Sequence, residues 1–289
     1  MAATMACIVG EGIHPPYPAG KPAGEPLGPR KTPYGTSGEI FLVTGEQRPF
    51  YLLSRYGAGK GKPAPSKVND RANMYALKDL GARCVLGWGA GGAIVHHMAV
   101  GDIVILQDLI DRTYLRARTF FEDSPMGYLR QFPVFCPALR AAACEVIHSL
   151  KLPHHDAGVA AVSEGPRLET PAEIRMLASS GAELVTHTFV PELFLAKELQ
   201  LCYAAVCYIV NYAETGSTHR PYVPGRLFGG LIQDAGADPV ARTIGAVGAI
   251  VAGIAEAVEK AQGTCHCDKT MAHNISAYGL ADDWRKWFE

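Results

Sequence analysis

The chain has little that would tie it to a polyanion or a bilayer. Its 27 Lys and Arg are matched by 28 Asp and Glu, giving a formal net charge of −1. No run of basic residues exceeds two, so the stripe that neutralises nucleic-acid phosphates is missing and nucleic acid is not expected as a partner. The longest uncharged apolar stretch, Ile244 to Ala255, ends at Glu256. That falls short of the roughly 20 residues a bilayer needs, so a buried or interface helix is expected and no membrane. Met1 to Val9 lacks a basic start and a long enough apolar run for a secretory signal, which makes a cytoplasmic location the expectation.

Zinc-site spacing is also scarce among the eight cysteines. Cys7, Cys84, Cys202 and Cys207 lie in apolar, strand-like runs and read as buried free thiols. Cys265-His266-Cys267 places two zinc ligands one residue apart, but no second Cys or His pair follows at zinc-site spacing. No metal is expected, and a redox-active pair, a structural pair and an inert tail all stay open.

What the chain does have is ample apolar material: 48% of its 289 residues are hydrophobic and 19% charged, ordinary for a globular enzyme. Residues 14 to 38 are rich in Pro and Gly and read as an irregular surface segment. Beyond them, strand patterns over Ile40–Thr44, Pro49–Leu53, Arg83–Leu86, Asp102–Leu106, Ala157–Val162, Leu184–Thr186 and Cys202–Val210 alternate with helical ones. The helical patterns cover Val68–Leu80, Pro137–Leu150, Thr170–Ser179, Pro191–Leu199 and Asp238–Gln262, and Thr170-Pro171-Ala172-Glu173 is a strong helix start. The alternation predicts an α/β fold, a central mixed sheet flanked by helices. No repeat or linker divides it, so residues 1–289 read as one domain.

Two glycine motifs mimic nucleotide sites. Gly87-Trp88-Gly89-Ala90-Gly91-Gly92 fits G-x-G-x-x-G, yet only eight residues separate Gly92 from Gly101, too few for a crossover helix. Gly57 to Lys62 resembles a P-loop but is one residue short, with Pro63 in place of the hydroxyl residue. The first motif is left as a glycine loop after a strand, either a tight turn or a backbone cradle for an anion or a ribose.

The collinear blocks Thr32-Pro33-Tyr34-Gly35-Thr36-Ser37, Pro65-Ser66-Lys67-Val68-Asn69, Gly101-Asp102-Ile103-Val104, Leu109-Ile110-Asp111-Arg112-Thr113, Glu164-Gly165-Pro166-Arg167 and Val190-Pro191-Glu192 resemble the trimeric purine nucleoside phosphorylases. The closest branch is that of the 5′-methylthioadenosine phosphorylases. The resemblance implies a single phosphorylase-like domain with a distorted, barrel-like mixed sheet, and a homotrimer with active sites near the subunit interfaces. It implies phosphorolysis of a purine nucleoside, with orthophosphate as co-substrate and no cofactor. The late Cys-x-Cys also occurs in this family, which favours a structural or redox pair over a metal.

Position by position, the resemblance puts Leu168, Glu169, Asn211 and Ala213 at the base. An amide and a carboxylate suit O6 and N1–H of a 6-oxopurine, whereas the methylthioadenosine enzymes carry Asp and Ser there. Glu169 also reads as a helix N-terminal charge. His187 stands where the family has Met under the sugar, either a satisfied core histidine or a group that positions water or a hydroxyl. Arg55, Tyr56, Gly89 and Thr188 map to the phosphate, and Trp88 to the ribose side. Glu11, Tyr56 and Trp88 depart from the usual phosphate-site residues, and a carboxylate facing phosphate costs on the order of a few kcal/mol. Three readings follow: phosphorolysis; a nucleosidase or lyase in which Glu11 or His187 orients water; or a non-catalytic nucleoside-binding trimer.

Overall fold

The computed structural model describes residues 3–10, 24–44, 48–57, 62–215, 224–232, 239–260 and 264–288. In chain order the strands are β1 (Met5–Val9), β2 (Glu25–Gly28), β3 (Lys31–Thr32), β4 (Gly35–Thr36), β5 (Ile40–Val43), β6 (Phe50–Ser54), β7 (Cys84–Ala93), β8 (Ile103–Ile105), β9 (Asp108–Arg112), β10 (His154–His155), β11 (Val159–Ser163), β12 (Leu184–Thr186) and β13 (Cys202–Tyr212). The helices are α1 (Asp70–Asp79), α2 (Pro137–Ser149), α3 (Pro171–Ser179), α4 (Glu192–Glu198), α5 (Pro239–Lys260) and α6 (Ala272–Tyr278).

One mixed sheet runs β10-β8-β13-β7-β1-β6-β5-β2, and β12, β11 and β9 continue from β7 as a branch. Its centre is parallel, β13, β7, β1 and β6 lying side by side. Both faces are covered, as parallel strands require. Ala6 and Ile8 of β1 join the core that includes Leu77, Leu193 and Phe189, while Met5, Cys7 and Val9 face the opposite core with Leu139, Val247 and Ile250. That division follows the two-residue period of a strand. Helix α5 has the length and apolarity to cross a membrane. Its stripe Val247, Ile250, Val251 and Ile254 is buried in that second core, where α5 packs on α2.

Two expectations need correction. From Gly24 onward the Pro- and Gly-rich segment is ordered: β2 pairs with β5 at the sheet edge, where Pro26 is tolerated, and β3 and β4 form a small hairpin. The glycine motif after Leu86 is no loop, because β7 runs straight through it to Ala93. Its glycines make room for neighbours: a Cβ on Gly87 would lie 2.2 Å from the Tyr203 hydroxyl, and one on Gly89 would lie 2.3 Å from Thr188 Oγ1. Bulk has been moved from this strand to those opposite it.

Candidate active site

A cavity of ≈ 150 Å³ opens at the carboxyl ends of β7 and β13, against β12 and the segment entering α3. That is the size that accepts one aromatic ring. It gathers Leu168, Glu169, His187, Asn211 and Ala213, with Ala90, Gly91, Gly92, Thr186 and Phe228.

Each polar group is fixed by its element. A bulge between Ile209 and Asn211 breaks the β13–β7 register and sets Asn211 opposite Gly92. The Asn211 amide donates from Nδ2 to the Tyr212 carbonyl at 2.7 Å, which leaves a second N–H and Oδ1 for a ligand. Glu169 precedes α3 but does not cap it. Thr170 and Glu173 form a complete capping box, so the Glu169 carboxylate is released to the cavity. Its Oε1 accepts a hydrogen bond from the Ser163 hydroxyl and lies 3.2 Å from Nε2 of His187. Burial alone would raise the pKa of Glu169, but these two donors outweigh it and hold the pKa below the ordinary carboxylate value. The His187 ring lies against Gly165, whose φ is +66°; a Cβ there would lie 2.8 Å from Nδ1.

Two hydroxyls, Thr186 at the cavity wall and Thr188, are linked by a hydrogen bond. Thr186 donates to the Ala90 carbonyl at 2.7 Å, so the Thr188 hydroxyl, 2.8 Å away, donates to Thr186. Arg55 itself is buried. Its Nε donates to Glu192 at 2.6 Å and its Nη1 to the Trp88 carbonyl at 3.3 Å. The second oxygen of Glu192 takes the Tyr203 hydroxyl at 2.6 Å. Burial opposes the charge on Arg55, yet Glu192 more than compensates, and the guanidinium is held ionised. Among the described residues Arg55 Nη2 has no acceptor. A guanidinium N–H donates most strongly to a charged oxygen, so this buried nitrogen has donor capacity to spare. A Cβ on Gly10 would lie 3.5 Å from Arg55 Nη1 and 3.9 Å from the Tyr56 ring, which brings the N-terminal strand's end to the same spot. Burial raises the Tyr56 pKa, against the pull of Arg55 and Arg116, so this phenol stays a neutral donor.

Trp88 does not reach the ribose side. On β7 the positions of Gly87 and Gly89 face Phe189, and two-residue alternation turns Trp88 the other way. The indole is fully buried in the opposite core and stacked on Tyr208 at 5.7 Å. Its bulk therefore fills the opposite core, and its carbonyl accepts from Arg55. Glu11 and Lys60 lie outside the described residues.

The Phosphorylase superfamily model matches residues 23–226. The chain belongs to this superfamily. Within it, a 6-oxopurine nucleoside phosphorylase of Pyrococcus furiosus is 37% identical over 216 residues, 72% of this chain and 79% of the relative. A probable S-methyl-5′-thioinosine phosphorylase of Methanothermobacter thermautotrophicus is 38% identical over 182 residues, 63% of this chain and 62% of the relative. In three dimensions the chain is similar to a methylthioadenosine phosphorylase from Schistosoma mansoni in complex with adenine. The TM-score is 0.78 with 23% identity, covering 95% of this chain and 96% of that one, which shows a common fold.

For this superfamily member the sequence pattern had not singled out Ser163, Phe228 or the Arg55–Glu192–Tyr203 chain. Glu192 carried a signal, as an acidic residue inside a matching block. Phe228 carried none, standing with Leu231 in a short turn segment outside every matching block.

Proposed function

We propose that this protein cleaves the N-glycosidic bond of a 6-oxopurine nucleoside by phosphorolysis. The observation that carries the base assignment is a Glu169 carboxylate kept ionised in a cavity shared with the Asn211 amide. An ionised carboxylate only accepts hydrogen bonds, so it matches N1–H of a 6-oxopurine and opposes the N1 lone pair of adenine. The free N–H of Asn211 donates to O6, and its Oδ1 accepts from a protonated N7. Both contacts strengthen as the C1′–N9 bond breaks and its electron pair moves onto the ring. The names of the 6-oxopurine and methylthioinosine relatives support the same reading.

Phosphate, rather than water, is supported by the open Nη2 of Arg55. Thr188 turns its hydroxyl from Thr186 to the anion, and Tyr56 adds a neutral donor. A phosphate oxygen then forms the new bond to C1′ and yields the sugar 1-phosphate. His187 holds Glu169 and lies at the sugar side of the ring. The reaction draws on no cofactor in this reading. The protein acts as a homotrimer in the cytoplasm, and Tyr128 and Phe132, 83% and 76% exposed in the single chain, are covered on assembly.

The test is base release from inosine, 5′-methylthioinosine and adenosine, with and without orthophosphate. The expected outcome is phosphate-dependent formation of hypoxanthine and sugar 1-phosphate, with adenosine a poor substrate. Release that ignores phosphate would make the protein a nucleosidase, and no turnover would leave a binding protein.

A further inference from the structure

Four cysteines come together at the opposite end of the sheet from the cavity. The Sγ atoms of Cys136, Cys202, Cys265 and Cys267 all lie within 4.8 Å of one another, with Cys202 and Cys265 at 3.4 Å. The absence of a second pair at zinc-site spacing is thus made good by the fold. Cys136 comes from the entry to α2 and Cys202 from the start of β13. We propose that these four thiolates bind one divalent transition-metal ion, zinc by the preference of an all-sulfur site, as a structural centre.

Mutual proximity is the first argument. Zinc–sulfur bonds of about 2.3 Å place the sulfurs of a tetrahedral site roughly 3.8 Å apart, all six separations alike. A set of four sulfurs with every pair inside 4.8 Å is close to that tetrahedron, and small side-chain rotations complete it.

The scaffold is the second argument. The Cys136 N–H bonds the Tyr203 carbonyl at 2.8 Å and the Cys202 N–H bonds the Arg83 carbonyl at 2.9 Å, which ties both ligands to the sheet. The Thr270 hydroxyl donates to the Lys197 carbonyl at 2.6 Å and holds the turn after Cys267 against α4. Two of the four ligands are therefore fixed to the sheet, and the turn that follows Cys267 is pinned to α4, before any ion arrives.

Charge is the third. A tetrathiolate with a divalent ion carries two net negative charges. Lys78 and Arg83 line the space beside Cys202 and Cys265, and Lys197 lines that beside Cys136 and Cys267. The carboxylates Glu259 and Asp268 lie on the Lys78 side as well. Metal entry displaces up to four thiol protons to solvent, so loading strengthens as pH rises.

The nine-residue step along β13 from Cys202 to Asn211 spans about 30 Å at the rise of a strand. The centre therefore fastens the C-terminal segment to the sheet and takes no part in glycosidic cleavage. That separation makes the test independent of any substrate. Full-length protein, purified without chelator, is analysed for metal and then for release on titration with a mercurial. About one zinc per chain, released as the thiols are modified, is expected. Reduced, metal-free protein loaded anaerobically with Co²⁺ should show the intense visible bands of tetrahedral cobalt thiolate. Cys267→Ser should lose both signals, whereas Cys144→Ser, outside the cluster, should keep them. Metal-free protein with no cobalt spectrum would overturn the proposal, as would peptide mapping that finds these cysteines paired as disulfides. If Cys136→Ser fails to fold, the Cys267→Ser variant and the cobalt spectrum still decide.

Discussion

Glu169 is a carboxylate lining the cavity, and in the proposed function its ionisation decides what the pocket accepts. Replacing it by Gln removes a charged acceptor, so kcat/KM for inosine should fall about 10- to 100-fold, the worth of a hydrogen bond to a charged group. Steady-state comparison with adenosine checks it, since adenosine should lose much less. Its pKa is depressed in the fold, so Glu169 adds stability above the unfolded carboxylate value, and that stability is lost as pH falls through the folded pKa. Unfolding midpoints of wild type and Glu169→Gln should therefore converge in acid. Glu198 has the opposite sign. Burial lifts its pKa to about 7 despite hydrogen bonds from Phe120 N–H and the Thr119 hydroxyl. Between the unfolded carboxylate value and pH 7 only the unfolded chain ionises fully, so stability should drop by roughly 2–3 kcal/mol across that window. Denaturant titrations at pH 5 and pH 8 read this directly, and Glu198→Gln should flatten the difference. The structure gathers Leu168, Glu169 and Asn211, all named from the sequence, in one cavity; Leu168 and Glu169 directly follow the block Glu164 to Arg167, whereas Asn211 lies in none of the matching blocks. Trp88 was misplaced because sequence position does not reveal which face of a strand a residue takes.

At the scale of elements, β7 is the informative piece. Its glycines resembled a loop, since glycine usually marks a break in a strand. They are strand residues because Tyr203, Phe189 and Thr188 fill the space that their side chains would need. Gly87→Ala should push Tyr203 off Glu192, leaving a buried carboxylate and the Arg55 pair short of a partner. A loss of about 3 kcal/mol or more is expected in equilibrium unfolding, together with a raised KM for phosphate. By contrast, Leu184–Thr186 was legible to the residue, and the helix starting after Thr170 nearly so, because capping and apolar runs are local signals. The short strand Asp108–Arg112 has only Leu109 and Ile110 between charged residues, too short an apolar run to mark a strand, and its place depends on pairing with β11.

For the whole molecule, the α/β alternation revealed the fold class, while the meeting of Cys136 and Cys202 with the late Cys-x-Cys could not be read from spacing. Three segments far apart in sequence converge only once the sheet has formed. Assembly belongs to this scale too. The proposed homotrimer should give three times the chain mass in sedimentation equilibrium, and Phe132→Asp should shift it toward single chains by placing a charge in the proposed contact.

The bulge in β13 has one more consequence. Because side chains alternate along a strand, the direction of Asn211 is a matter of phase, counted in whole residues. Val210 is the extra residue of the bulge and lines the cavity itself, so a chain lacking it would regain a regular ladder with the amide still opposite Gly92. A three-nucleotide deletion at this point therefore reshapes the wall beside the amide without moving its register, a change that substitution scans do not sample.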